Sequence, residues 1–411
     1  MRHGTRANHL ATFNPFAAWG QAADAAWAVA PYPFSLLSRR QQFEQYYQWF
    51  QKGMEALGVP GFDIHGVAVE GKSVAVEQTV AIDTPFCKLL AFRRDPAFVG
   101  PDSPRVLLCA PLAGHRAVLL RDTVLALLQH TDVYLTDWMD ARDVPVSAGR
   151  FGLDDFVLLL ERFMRELGAA RLDVIAVCQA TVPALAAVSR LANAGEEEAR
   201  TLTLIGGPVD ARLSPTALNR MAVSMWLPWL DASAIGTVPA GYAGAGRRVY
   251  PGFLQYPSLV AAHPDRQFKL MADYLYRRPR CDAETARGID RAVAEYGAVL
   301  DMPAEFFLDT LRVVFQQMLP ARGTWSVAGQ AVRPECLRRT ALLTIEGQLD
   351  DISGAGQTHA AHGLCTGLPL ARRRRVTVPG CDHYGLFSGD PWRNKVHPVV
   401  RGWMAATEPQ A

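Results

Sequence analysis

The sequence predicts an α/β fold: a mainly parallel sheet with flanking helices, and a largely helical cap inserted before the last two strands. Three observations carry this expectation. From Pro101 onward short apolar runs alternate with segments of helical period, the signature of successive strand–helix–strand units. The alternation stops between about residues 211 and 335, then resumes. Finally Cys178, Asp350 and His383 each stand just beyond the end of an apolar run, at the edge where open α/β sheets bind their ligands.

The elements follow in chain order. Residues 1–60 read as a helical extension rich in aromatics, among them Phe13, Phe16, Trp19, Trp27, Tyr32, Phe34, Tyr46, Tyr47, Trp49 and Phe50. Such a segment packs on the main domain or offers an apolar surface to a partner. Between 64 and 93 the period changes to that of short strands, with Gly71 in a turn, which predicts an antiparallel edge. The parallel series is then Arg105–Ala110, Asp132–Thr136, Leu172–Val177, Leu202–Ile205, Ala341–Ile345 and Arg375–Val378. Helices are expected over 115–130, 152–168 and 181–194; in the second, Phe156, Leu159, Leu160, Phe163, Met164 and Leu167 fall on helical spacing. The core is thus expected at 61–210 and 336–411, with the cap at 211–335. The arginines at 372–375 read as solvated residues leading into a strand.

Composition narrows the function classes. Forty-two basic residues face 40 acidic ones, a balance that offers nothing to a nucleic acid. No apolar run reaches the roughly 18–20 residues that span a bilayer, and the N-terminus lacks the apolar stretch of a signal peptide. Seven scattered cysteines fit reduced thiols in a cytoplasmic protein better than a disulfide framework. No phosphate-cradling glycine motif occurs.

The chemistry concentrates at LDVIAV-Cys178-Gln179-Ala180-Thr181. A buried strand runs into one nucleophilic side chain and a helix begins at once, which is the setting of a nucleophile elbow. The turn exposes the thiol at a helix N-terminus, and the Gln179 N–H can hold an oxyanion. Ala176 and Ala180 stand where such elbows usually carry glycine. After the next-to-last strand comes Gly347-Gln348-Leu349-Asp350, and after the last Gly380-Cys381-Asp382-His383. The chain order nucleophile, acid, histidine is that of the α/β-hydrolases. His383 is the expected general base and Asp350 its orienting acid, with Asp351 the neighbouring alternative; Asp350 could also cap the backbone before Ile352. The second oxyanion donor is expected from Leu112 or Ala113, after the Arg105–Ala110 strand. His115 could reach the site or simply begin a helix. His359, His362, Cys365 and Cys381 do not follow a usual zinc spacing, so no metal is expected.

At these residues the chain resembles the intracellular polyhydroxyalkanoate (poly(3-hydroxybutyrate)) depolymerases, an α/β-hydrolase family with a cysteine nucleophile. The resemblance lies in Pro85 to Leu90, Val133 to Phe156, DVIAVCQATVPALAAVSRLA (173–192), LIGGPVDARLSPT (204–216), Thr344 to Pro369 and GCDHYGLFSG (380–389), and spans roughly residues 60–400. It places the family's nucleophile on Cys178, its acid on Asp350 and its base on His383. The family usually has proline where this chain has Ala180, which touches the rigidity of the turn rather than the triad.

The resemblance implies cleavage of a polyester through an acyl-thioester, with release of 3-hydroxybutyrate units. Water is the acceptor, or coenzyme A in its place; no other cofactor is implied. The implied partner is a polyester granule in the cytoplasm, and self-association is compatible with it. Three other readings compete: a polyhydroxyalkanoate synthase with the same residue set, a generic esterase or thioesterase, and a granule-coat protein without turnover.

Overall fold

The computed structural model describes residues 39–98, 105–256 and 264–407; residues 1–38, which hold most of the predicted N-terminal extension, lie outside them. Nine strands form the main sheet: β1 (Gly66–Val69), β2 (Lys72–Asp83), β3 (Cys87–Arg94), β4 (Arg105–Cys109), β5 (Asp132–Trp138), β6 (Leu172–Val177), β7 (Thr201–Ile205), β8 (Ala341–Gly347) and β9 (Arg373–Val378). Their spatial order is β1-β2-β3-β5-β4-β6-β7-β8-β9. The first three strands pair antiparallel, and β3 is antiparallel to β5. From β5 to β9 every pairing is parallel. The predicted antiparallel edge and parallel series are both present, and the insertion falls between β7 and β8. The fold is that of an α/β-hydrolase.

Burial follows from this layout. Strands β6, β7 and β8 are buried along their whole length, because helices cover both faces of a parallel sheet. Edge strand β9 instead exposes Arg374 and Arg375, charges that discourage edge-to-edge pairing. Arg373 turns back, its Nε donating to the Leu368 carbonyl at 2.8 Å and its Nη2 to that of Thr366 at 2.9 Å.

The flanking helices include α1 (Arg121–Leu128), α2 (Leu153–Leu167), α3 (Thr181–Asn193) and α4 (His397–Ala406). Helix α2 starts where the Gly152 N–H donates to Asp155 Oδ2 at 2.7 Å, and it buries Phe156, Leu160, Phe163 and Met164. A buried Glu161–Arg190 ion pair joins it to α3, and Arg190 Nη1 also reaches the Val327 carbonyl at 2.8 Å. The aspartate inside the apolar run of β6 is explained likewise. Burial pushes the Asp173 carboxyl upward, while Arg200 and the Thr201 hydroxyl favour its charged form. Arg200 Nη1 in turn donates to the carbonyls of Met404 (2.9 Å) and Thr407 (2.7 Å) at the C-terminal end of α4.

The described residues divide into two units, 58–252 with 294–407, and 39–57 with 253–293. The first holds the sheet and the predicted site. In the second, the helix Arg39–Leu57 packs Phe43 and Tyr47 against Phe253, with ring centroids 5.5 Å and 6.2 Å away. No helix among the described residues is long and apolar enough to cross a membrane.

Two buried histidines outside the predicted triad predict acid sensitivity. Burial, then the nearby arginines and His359, push His362 down to about 4; burial, His130 and Arg401 do the same to His397. Each folded-state value lies below the ordinary value near 6.5. The stability they contribute is therefore present above about pH 6.5 and lost as the pH falls toward 4. Replacing either by glutamine should flatten the fall of Tm over that window; an unchanged acid slope in both variants would contradict this origin.

Candidate active site

Strand register sets the site's floor. Val177 of β6 pairs with Ile205 of β7, Ile345 of β8 also pairs with Ile205, and Gly347 pairs with Val378 of β9. The residues that follow these ends therefore emerge at one sheet edge: Cys178, Gly206-Gly207, Gln348 to Asp350, and Pro379 to His383. On the other side β4 pairs Cys109 with Ala176, so the loop from Ala110 to Arg116 starts beside the elbow.

Cys178 adopts φ +54°, a left-handed conformation unusual for a side chain with a Cβ and a mark of local strain. The strand ends at Val177, residues 178–180 make a 3-10 turn, and α3 begins at Thr181. The Thr181 hydroxyl donates to the Cys178 carbonyl at 2.8 Å. Ala176 and Ala180 are fully buried, so alanine fills the two small-residue places of the elbow. The remaining close approach comes from the loop after β7. A Cβ on Gly207 would lie 1.8 Å from Thr181 Oγ1 and 2.4 Å from the Cys178 carbonyl oxygen. Gly207→Ala should therefore cost about 1–3 kcal/mol of stability and lower turnover with it; an active variant melting at the wild-type temperature would show that the elbow tolerates displacement.

His383 and Asp350 form a buried pair. His383 Nδ1 lies 2.8 Å from Asp350 Oδ2, and the two side chains are 3% and 1% exposed. Asp350 Oδ1 accepts the N–H groups of Ile352 (2.9 Å) and Ser353 (2.8 Å). One carboxylate thus serves both the histidine and the backbone cap, while Asp351 is exposed. Burial by itself would lower the imidazole. The Asp350 carboxylate first, and then the Cys178 side chain, outweigh it and hold His383 well above its ordinary value. Nδ1 thus faces Asp350, and Cys178 is the other side chain that acts on this imidazole.

The two glycines read from the sequence have different reasons. A Cβ on Gly347 would sit 2.5 Å from the Cys381 carbonyl oxygen, so glycine lets the acid and histidine loops touch. Gly380 has φ +65° and open space around it, so there it supplies the turn. Gln348 Oε1 accepts the Gly380 N–H at 2.9 Å, and the Leu349 N–H reaches the Cys381 carbonyl at 2.9 Å.

The loop after β4 is held from both ends. The Ala110 N–H donates to Thr136 Oγ1 at 2.9 Å and Trp138 Nε1 to the Ala110 carbonyl at 2.8 Å. At the far end Arg116 N–H donates to the Ala298 carbonyl (2.8 Å), and Leu300 N–H to that of Gly114 (2.9 Å). Among the described residues no backbone group is seen to accept the N–H of Leu112, Ala113 or Gln179. His115 begins no helix. It makes an isolated bridge with Val299 and lies 3.2 Å, through Nε2, from the Tyr384 hydroxyl.

Gly206, Gly207, Thr181 and the segment 298–301 do not stand out in the sequence as parts of a site, yet they pack around these same loops. Only the Gly-Gly pair directly after β7 is a local signal, for the first two. A built Cβ on Gly206, at φ +59°, would lie 3.3 Å from Asp350 Oδ2 and 3.4 Å from His383 Cε1. Segment 298–301 carries no local signal, since its role comes only from pairing with a distant loop.

The buried thiols of Cys87, Cys365 and Cys381 are poor candidates for chemistry. Burial raises Cys87 well above its ordinary value, and raises Cys365 to about 12 and Cys381 to about 11. His359 Nδ1 and His362 Nε2 converge on the Thr344 hydroxyl at 2.7 and 2.9 Å. Among the described residues no cluster of three His, Cys, Asp or Glu is placed to hold a metal.

Residues 206–408 match the family model described as PHB de-polymerase C-terminus. No curated protein matches the chain. Among solved structures, epoxide hydrolase A from Mycobacterium thermoresistibile is 12% identical, with 82% of this chain and 100% of that chain covered and a TM-score of 0.46. An esterase from Pyrobaculum calidifontis is 13% identical, with 89% and 94% covered and a TM-score of 0.43. A thioesterase domain from the curacin biosynthetic pathway is 12% identical, with 81% and 100% covered and a TM-score of 0.42.

Proposed function

The chain belongs to the PHB depolymerase family, whose C-terminal region it carries at residues 206–408, and from that membership we propose that it cleaves poly(3-hydroxybutyrate) through a Cys178–His383–Asp350 triad. The observation that supports this most is the Asp350 carboxylate bonded to a buried imidazole, together with a left-handed cysteine at a helix start whose side chain acts on the same ring.

The steps follow from the placement. Cys178 Sγ attacks the ester carbonyl carbon, and its proton passes to His383. The carbonyl oxygen becomes an oxyanion, met by the N–H of Gln179 and by that of Leu112 or Ala113. The tetrahedral species collapses with cleavage of the C–O bond, and His383 returns the proton to the departing alkoxide. An acyl-thioester on Cys178 remains. Water then gives a proton to His383 as its oxygen attacks the thioester, the C–S bond breaks, His383 passes the proton to the departing Cys178 Sγ, and the free acid leaves. A coenzyme A thiol in place of water would give a 3-hydroxyacyl thioester by the same proton path.

Exposed Trp226 and Trp229 support a granule as the partner, since apolar surface of this kind suits an amorphous polyester. The test is acid release from amorphous poly(3-hydroxybutyrate) granules, with and without coenzyme A. Soluble 3-hydroxybutyrate, or its coenzyme A ester, supports the reading. Turnover of short soluble esters alone would favour the generic esterase, and polymer formation from the coenzyme A ester the synthase.

A further inference from the structure

We propose that His115 is a positioning residue, which sets the oxyanion loop against the loop of the general base through the hydroxyl of Tyr384. The inference rests on the triad reading above.

The need for such a link comes from the sheet. The oxyanion loop leaves β4 and the histidine loop leaves β9. In the sheet order β6, β7 and β8 lie between them, four strand spacings or roughly 19 Å. Strand register alone therefore leaves the distance between the two loops loosely fixed. Yet the oxyanion and the imidazole must meet the same substrate carbon from two sides.

The His115–Tyr384 contact closes that gap. His115 stands two residues beyond Ala113, and Tyr384 directly follows His383. The two side chains are buried, and His115 Nε2 lies 3.2 Å from the Tyr384 hydroxyl. Gly114, at φ +88°, turns the chain between Ala113 and His115. The Tyr296 ring packs against both, with centroids 5.1 Å from His115 and 6.1 Å from Tyr384. Two residues after Tyr296 the chain reaches Ala298, where the strap on the oxyanion loop begins. Phe387 completes the wall, 5.6 Å from His383 and 5.7 Å from Tyr384. The His115–Tyr384 contact thus ties loop, strap and base together inside an aromatic cluster. Misplacing a reacting group by about 1 Å can cost on the order of 10²-fold in rate.

The experiment uses the full chain and a soluble ester, p-nitrophenyl butyrate, so that granule binding does not enter. Tyr384→Phe, His115→Ala, His115→Gln and the double variant Tyr384→Phe/His115→Ala are compared for kcat, KM, Tm and the rate at which iodoacetamide alkylates Cys178. Alkylation needs the Cys178–His383 pair but no oxyanion donor. The expected result for Tyr384→Phe and His115→Ala is a kcat lower by about 10–100-fold, with KM within about threefold and alkylation within about twofold of wild type. His115→Gln, which can still meet the Tyr384 hydroxyl, should recover most of kcat. The double variant should be no worse than the worse single one. The proposal is overturned if Tyr384→Phe keeps kcat within twofold, if glutamine gives no rescue, or if alkylation falls in step with kcat. Wild-type turnover that persists in Cys178→Ala overturns the triad reading itself, a result distinguishable from all of these.

Discussion

Cys178→Ala is expected to lower kcat for ester cleavage by at least about 10⁴-fold, with little change in KM, because removing a nucleophile leaves only binding and oxyanion stabilisation. The side chain contributes almost nothing to packing at this partly exposed place, so Tm should hold within a few degrees. Backbone strain gives an independent check. At φ +54° alanine carries the same Cβ penalty as cysteine, whereas glycine does not. Cys178→Gly should be as inactive as Cys178→Ala and more stable by about 1 kcal/mol. Steady-state kinetics and denaturant unfolding of the two variants test both parts. Substantial turnover in Cys178→Ala would remove the elbow cysteine from the mechanism, and a less stable glycine variant would contradict the strain.

Asp350→Asn is expected to lower kcat by about 10³–10⁴-fold, on the scale seen when a triad acid loses its charge. The reason is specific to this site. Oδ1 of Asp350 already accepts two backbone N–H groups, from Ile352 and Ser353, while Oδ2 faces His383 Nδ1. An asparagine will keep its oxygen toward those N–H donors and turn its NH2 toward the imidazole. His383 must then accept at Nδ1 and carry its proton on Nε2, where it cannot take one from Cys178. The pH dependence has a definite sign. Burial lowers the imidazole, and the Asp350 carboxylate is the largest influence raising it. The variant's imidazole should therefore titrate at a lower pH. In the wild type the folded value lies above the unfolded value near 6.5. Its stabilising contribution is thus full below about pH 6.5 and fades as the pH rises through the folded value. The stability gap between wild type and Asp350→Asn should be widest in mildly acid solution and narrow toward alkaline pH. Unfolding measured at pH 6 and pH 9 checks this; a gap that grows with pH would contradict it.

Much of the architecture was legible because its signals are local. Apolar runs such as LDVIAV and ALLTI sit in fully buried strands, and the period-2 stretch after residue 64 sits in the antiparallel edge. Cys178, Asp350 and His383 stand out in the sequence for the same reason: each lies in the loop or turn just beyond a strand, and parallel strands bring their carboxyl ends to one edge. What escaped is non-local. Nothing in Ala298-Val299-Leu300 says that it pairs with the loop at His115. His115 itself reads as a helix start from its neighbours, yet its partner Tyr384 is 269 residues away. Gly347 and Gly380 look alike in sequence, and only packing shows that one makes room for a carbonyl while the other makes a turn.

The central claim is a covalent acyl group on Cys178, and trapping it is the most direct test. The enzyme is mixed with a 3-hydroxybutyrate oligomer, quenched in acid within milliseconds, digested and analysed by mass spectrometry. The account predicts a 3-hydroxybutyryl adduct on the peptide containing Cys178, lost on treatment with hydroxylamine and absent from Cys178→Ala. An acyl group on another residue, or steady turnover that survives the loss of Cys178, would contradict it.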